Sequence, residues 1–427
     1  MLGTACEKNK SKTCEPKGTH THSELHRTKP DVVVFCPTGS NDTDNEHFLV
    51  FKAPKSDSLL AMWTQSSCEG YGDNKIVLSR STDGVNWSSP KVIAGHRLHD
   101  GKTLQSSWAV PIVNSKGRIY CIYLKEEVFV DMNRSTSGSM GCIVSDDDGH
   151  TWQEGGTIEM PRDKFDHPDD KYPKNWISWQ LPIRDSKGRI FLGYTQWSSP
   201  QIYGEPPAGW YSRDSRCKFM CFENIDSSPA VKDLKITFLP DDVNGLAVNY
   251  PNRPDVSVAQ EPSVVLLPDN RLFCVMRTFT GFIWYSVSSD DGYSWRKPEM
   301  LRDKDNGEPI RQPIAPCPIY SIGDKKYMLL FHNNDGHLAN YRPVDVLYNR
   351  RPAHIAVGAY VEGAYQPIWF EKPKQILDTD GITVGPKGTS EVATYTSLTQ
   401  WHGKTVLWYP DRKYFLLGKY LGQDLIG

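Results

Sequence analysis

Nowhere in the 427 residues is there an apolar run of about 18 residues, so no membrane-spanning helix organises the chain. The sequence also has no C-x-x-C pair and no Cys/His cluster at zinc spacing. A Gly-rich phosphate loop and a nucleophile elbow are equally missing, which leaves kinase, serine-hydrolase and zinc-hydrolase chemistry without support. Neither charge dominates: 49 Lys and Arg face 51 Asp and Glu, a formal net charge of −2. No basic face is therefore expected, and nucleic acid and anionic membrane are excluded as partners. The ten cysteines are scattered, and Cys36, Cys121, Cys142 and Cys274 stand in apolar strand-like runs that read as buried free thiols. Asp146-Asp147-Asp148 lacks full calcium-loop spacing, so no metal and no cofactor is expected.

Apolar residues make up only 38% of the chain, as strands that alternate inward apolar with outward polar side chains require. Aromatics are plentiful, with 13 Trp and 20 Tyr available for cores or for stacking on sugar rings. The organisation shows in repeats. A strand ending in an apolar or Pro-rich patch, a Gly or Asp turn and a second strand run from Trp108 to Tyr120, and again from Trp179 to Phe191. Variants occupy 261–272, 317–327, 391–408 and 47–63. Six modules of several short strands each predict an all-β single β-propeller over residues 31–427. A seventh blade has room only in 200–257 or in the termini. Asp31–Cys36 is an isolated strand that closes the ring by pairing into the last module. Residues 1–30 read as a polar N-terminal arm.

A second motif follows three of the hairpins. Ser145–Trp152 and Ser288–Trp295 both read S-x-D-x-G-x-[ST]-W, and Ser81–Trp87 is a one-shorter relative. In such a turn the Asp carboxylate accepts backbone N–H groups, Gly takes a positive φ and Trp plugs between strands, a structural task. The motif resembles the Asp box of sialidase-like propellers. That resemblance implies a topology in which the innermost strand runs inward from the functional face and the second strand returns to it. The starts of first strands then bring His47, Trp108, Trp176, Gln180, Glu261 and Glu391 to the mouth. The ends of second strands bring Gln65, Glu126, Gln196, Trp197, Arg277, His332, Asn333 and Tyr409. Carboxylates and amides for hydroxyls, with Trp for ring faces, suit a sugar site.

A sialidase needs three arginines for a carboxylate, and only Arg277 stands at an expected strand end; the Arg-Ile-Pro signature is missing too. His47 and His332 instead offer groups able to act as acid or base near neutrality. Arg277 and Arg350 can pin a uronate carboxylate. Asp boxes without the arginine set, together with His47, His332-Asn333-Asn334 and Asn349-Arg350-Arg351-Pro352, resemble glycoside hydrolase family 145. The resemblance implies seven blades and an exo-acting enzyme that removes terminal α-L-rhamnose from a glucuronic-acid-containing glycan of the arabinogalactan type. Members of that family rely on one His on the face opposite the usual mouth, which here adds His22 and His26 to His47 and His332 as catalytic candidates.

Expected substrate contacts are Arg277, Arg350, Trp108, Trp176, Gln180, Gln196, Glu261, Asn333 and Glu391. Two other readings stay open: a uronate polysaccharide lyase of the ulvan or rhamnosyl-glucuronate type, and a non-catalytic glycan-binding propeller. The start, Met1 to Cys6 followed by polar residues, looks like the remnant of a bacterial lipoprotein signal with a lipid anchor at Cys6. It implies a protein that is secreted, periplasmic or anchored in the outer membrane, and a monomer is expected.

Overall fold

Leu59–Ser66 reads Leu-Leu-Ala-Met-Trp-Thr-Gln-Ser, and all eight side chains are buried. A half-exposed strand would alternate; this one does not because both its faces are covered. In the computed structural model, which describes residues 27–204 and 206–427, Leu59, Ala61 and Trp63 fill one core while Leu60 and Met62 fill the next. The same two-sided burial recurs around a ring of six antiparallel sheets.

Blade 1 is Asp44–Lys52, Leu59–Ser66, Lys75–Ser81 and Lys91–Ala94, and blade 2 is Ser106–Val113, Ile119–Glu126, Gly138–Ser145 and Gln153–Ile158. Blade 3 is built from Asn175–Ile177, Ile190–Trp197, Ser215–Phe222 and Ile236–Leu239, with Ile183–Arg184 beside Ile190–Trp197. Gln260–Leu266, Leu272–Arg277, Trp284–Ser288 and Glu299–Met300 form blade 4. Ile319–Gly323, Lys326–Phe331, Ala353–Tyr360 and Ile368–Phe370 form blade 5. Blade 6 is Ser397–Trp401, Lys404–Asp411, Phe415–Leu421 and, on its outer edge, Val32–Phe35. The early strand thus completes the late blade, as the sequence predicts, and covers the edge that Phe415–Leu421 would otherwise leave open. One large apolar cluster fills each of the six junctions between neighbouring blades. Each buried large side chain there contributes roughly 1.5–3 kcal/mol.

The expectation of seven blades is corrected to six among the described residues. Within 200–257, the chain is taken up by the outer strands of blade 3 and by a small ribbon, Asn249–Tyr250 with Arg253–Ser257. That ribbon is too short to bury a face of its own, and the early strand joins blade 6 instead of founding another sheet.

The Asp boxes behave as turn builders. Asp147 accepts the Thr151 N–H at 2.9 Å and its hydroxyl at 2.6 Å, and Asp290 does the same for Ser294 at 2.9 and 2.6 Å. Trp152 and Trp295 each donate to the box glycine carbonyl, at 3.2 and 3.1 Å. Gly292 has φ +89°, and a Cβ there would stand 2.8 Å from the Phe191 ring, so glycine is required on both counts. Asp148 accepts the Lys55 N–H at 2.9 Å, which places the boxes on the same rear face as the first-to-second strand turns. The long loops, including 127–137, 159–174, 198–214, 240–259, 332–352 and 378–396, gather on the opposite, front face.

The strand cysteines Cys36, Cys121, Cys142 and Cys274 are free thiols, while Cys68 is disulfide-bonded. Among the described residues no helix is long and apolar enough to cross a membrane.

Candidate functional site

Regular strand pairing breaks at the same place in three first strands: between Glu46 and Leu49, Ser107 and Val110, and Gln260 and Ser263. The residue that opens each bulge lies in the left-handed region: His47 (φ 59°), Trp108 (58°) and Glu261 (50°). Tyr395 (φ 66°) does likewise in blade 6, between the Val392–Asp411 bridge and Ser397–Trp401. For side chains other than glycine this conformation costs of order 1–3 kcal/mol and needs surrounding support. The support is visible: Thr64 Oγ1 accepts the Trp108 N–H at 2.9 Å, and Thr195 Oγ1 accepts the Glu261 N–H at 2.7 Å. Bulges of this kind re-aim a side chain, and here His47, Trp108 and Glu261 all meet Tyr395.

Tyr395 is the hub. Its hydroxyl donates to Glu261 Oε1 at 2.9 Å, and Arg277 Nη1 lies 3.4 Å from the same hydroxyl. Its ring meets Trp108 at 5.2 Å, Trp179 at 5.9 Å and His47 at 6.3 Å between centroids. Lys413 Nζ lies 5.6 Å from the ring centre. Arg277 contacts Glu261 Oε2 at 2.9 Å and donates to Gln260 Oε1 at 2.8 Å. Arg350 donates to the Ile314 carbonyl at 2.8 Å and to Glu391 Oε2 at 3.2 Å. Lys413 bridges Glu46 Oε2 at 2.7 Å and Glu69 Oε2 at 2.9 Å.

Burial sets the protonation. It raises the Glu261 carboxyl above its ordinary range, against the pull of Arg277. Burial, and then the Glu261 charge, push the Tyr395 phenol up, so the proton rests on the tyrosine with a carboxylate positioned to receive it. Glu46 is driven up to about 8 by burial and by Glu69. Glu391, although buried, is held below its usual range by Lys413, Arg350 and Lys387. His47 is pushed down to about 3 by burial, and it is neutral at physiological pH. The Trp179 carbonyl lies near its ring, but neither ring nitrogen completes a hydrogen bond. His47 is thus a neutral, fully buried imidazole packed against the Trp108 ring at 5.1 Å.

A model of one protein family fits this pattern. Residues 57–312 match the BNR repeat-like domain. The chain belongs to that family. No curated protein matches it. Several solved structures share the fold at low identity. The NanB sialidase from Streptococcus pneumoniae superposes with a TM-score of 0.60 at 10% identity, covering 96% of this chain and 73% of that one. The intramolecular trans-sialidase from Ruminococcus gnavus gives 0.57 at 13%, covering 92% and 97%. A protein of unknown function from Dyadobacter fermentans gives 0.59 at 14%, covering 92% and 96%.

Of the residues expected at the mouth, this BNR propeller brings together His47, Trp108, Glu261, Arg277, Arg350 and Glu391. Arg350 arrives from the front loop of blade 5, after the short helix Val346–Asn349, which is why a search of strand ends does not reveal a second guanidinium. Other expected residues serve elsewhere. Trp176 is sealed in the junction of blades 2 and 3, donating to the Gly138 carbonyl at 3.0 Å. Gln196 binds Asp166 at 2.9 Å and Asp163 at 3.1 Å in the loop above it. His332 is buried, with Nε2 2.9 Å from the Val392 carbonyl and Nδ1 3.4 Å from Gln312, and burial lowers it to about 4. Asn333 is exposed beside it. Gln180 lies deeper, reaching the Ile319 carbonyl at 3.3 Å, and lines a cavity of about 700 Å³ in the rear part of the channel. His22, His26 and Cys6 lie outside the described residues.

The sequence reading missed Tyr395, Lys413 and Trp179. Their only trace is local: Tyr395 follows Glu391 by four positions in the sixth module.

Proposed function

We propose that this BNR propeller is an exo-acting glycoside hydrolase working at the front end of its channel, with Tyr395 as nucleophile and Glu261 as its base. The observation that carries the reading is the Tyr395–Glu261 hydrogen bond, held beside the Arg277 guanidinium with left-handed backbone at both partners. A tyrosine can replace the usual carboxylate nucleophile in glycosidases, provided a base takes its proton. In the first half-reaction the phenol oxygen bonds to the anomeric carbon, the glycosidic bond breaks, and the phenol proton passes to Glu261. The leaving oxygen takes a proton from solvent. Water then displaces the phenolate from the anomeric carbon and loses a proton to solvent, and Glu261 returns its proton to Tyr395.

The finer assignment is release of terminal α-L-rhamnose from a glucuronate-bearing glycan of the arabinogalactan type. It rests on the sequence resemblance, and charge supports it. Arg277 and Arg350 are each already matched to a buried carboxylate, and His47 is neutral, so the centre favours an uncharged sugar over an anionic one. A uronate lyase would use the same tyrosine and arginines and is the second reading. The test is incubation with a rhamnose-capped, glucuronate-containing arabinogalactan oligosaccharide. Free rhamnose without an unsaturated, ultraviolet-absorbing product, lost in Tyr395→Phe, is the expected result. Rising absorbance would assign the lyase, and silence in both channels would leave a glycan-binding propeller.

A further inference from the structure

Beside the Tyr395 centre the front loops of blades 3 and 4 carry four aromatic rings in sequence. Trp210 ends the short strand Pro207–Trp210, and its ring centroid lies 4.3 Å from that of Tyr211. Tyr211 stacks on Phe279 at 5.6 Å and 24°, and Phe279 meets Tyr250 at 5.8 Å. The underside of this row is anchored by Tyr250, which packs with Val256 and Val258, while Trp210, Tyr211 and Phe279 stay half-exposed. Three half-exposed rings in a row are more than the packing of one loop requires, because their open faces gain nothing from water.

The row is continuous with the reactive centre. The Arg277 guanidinium lies 5.9 Å from the Trp210 ring centre, and the charge of Arg350 acts on the Tyr211 phenol. Arg277 in turn touches the Tyr395 hydroxyl. A glycan whose terminal sugar sits at Tyr395 must lead its remaining rings outward past one of the front loops, and this loop offers apolar faces at that exit. Sugar rings present flat C–H faces that match aromatic faces, and the fixed geometry of Trp and Tyr gives contact area at little conformational cost.

We propose that the ledge of Trp210, Tyr211, Phe279 and Tyr250 binds the saccharide that leaves the reaction, making the protein selective for oligosaccharides over simple glycosides. The proposal rests on the reading of Tyr395–Glu261 as the place of bond cleavage. The test compares kcat/KM on the arabinogalactan oligosaccharide with kcat/KM on α-L-rhamnosyl fluoride, whose leaving group is too small to reach the ledge. In Trp210→Ala and Phe279→Ala the oligosaccharide-to-fluoride ratio falls about tenfold, as the loss of one stacking contact implies, and Trp210→Phe restores most of it. An unchanged ratio overturns the ledge, since general damage to the site would lower both substrates together. If the wild-type protein cleaves neither substrate, the cleavage reading fails and binding decides the ledge separately. Retardation of the wild-type protein in native gels containing the arabinogalactan, lost in Trp210→Ala, sustains it; equal mobility of the two proteins overturns it.

Discussion

The hydroxyl of Tyr395 in blade 6 donates to Glu261 of blade 4 at 2.9 Å, a bond that crosses the propeller's channel between residues 134 positions apart. Neither partner is held by its own strand's regular pairing, so the ring's closure is what brings them together. Tyr395→Phe is expected to lower kcat/KM by about three orders of magnitude or more, while stability drops by about 2 kcal/mol, the worth of one hydrogen bond to a buried carboxylate. Steady-state kinetics and urea unfolding on the same preparation check both halves. Full activity in Tyr395→Phe would remove the tyrosine from the chemistry.

Arg350 and Glu391 are a buried ion pair with side chains at most 5% exposed. Glu391→Gln leaves the guanidinium without its charge partner and is expected to destabilise the fold by about 3 kcal/mol. The double variant Arg350→Met/Glu391→Leu should recover much of that loss, since removing both charges also removes their desolvation penalty. Urea midpoints of Arg350→Met, Glu391→Leu and the double variant form the necessary cycle.

Two buried groups give opposite pH slopes. His332, lowered to about 4 from an ordinary 6.5, stays neutral when folded while the unfolded imidazole takes up a proton. Its contribution is therefore lost as pH falls from about 6.5 towards 4. Glu46, raised to about 8 from 4.5, keeps its proton when folded after the unfolded carboxyl has released it. Its contribution is present at low pH and lost as pH rises towards 8. Melting curves from pH 4.5 to 8.5 should show a shallower acid slope in His332→Gln and, in Glu46→Gln, the loss of a decline that spans about pH 4.5 to 8.

The Asp boxes should affect stability without affecting chemistry. Asp147→Ala removes the acceptor for the Thr151 N–H and hydroxyl and is expected to lose about 1–2 kcal/mol, with kcat unchanged below the melting transition. A large fall in kcat at low temperature would contradict a purely structural box.

What could be read from the sequence follows a physical divide. Blades were legible because each repeats the same hairpin and turn chemistry, and the six modules counted are the six sheets found. The seventh came from resemblance alone. At the site, His47, Trp108 and Glu261 could be placed near a mouth because they open inner strands, yet the same rule promoted Trp176, which shares a core with Trp108 but spends its indole N–H on the Gly138 carbonyl away from Tyr395. Strand parity decides where a side chain points only while pairing is regular. The bulges at His47, Trp108 and Glu261 and the irregular stretch around Tyr395 break that parity, and no local sequence signal announces a positive φ at a bulky residue. Arg350 was named for its basic pair but could not be located, because a loop and not a strand carries it.

The pairing of Val32–Phe35 with Phe415–Leu421 makes the molecule a clasp whose two halves lie almost four hundred residues apart. During synthesis the early strand waits without a partner until the late one emerges, with its apolar side chains uncovered for most of that interval. Translation speed and chaperone supply should accordingly govern the yield of active protein more than the intrinsic stability of any blade does. A circular permutant cut in a rear turn and joined through a linker from Leu421 to Val32 would make the clasp local in sequence, and it should refold faster than the natural order.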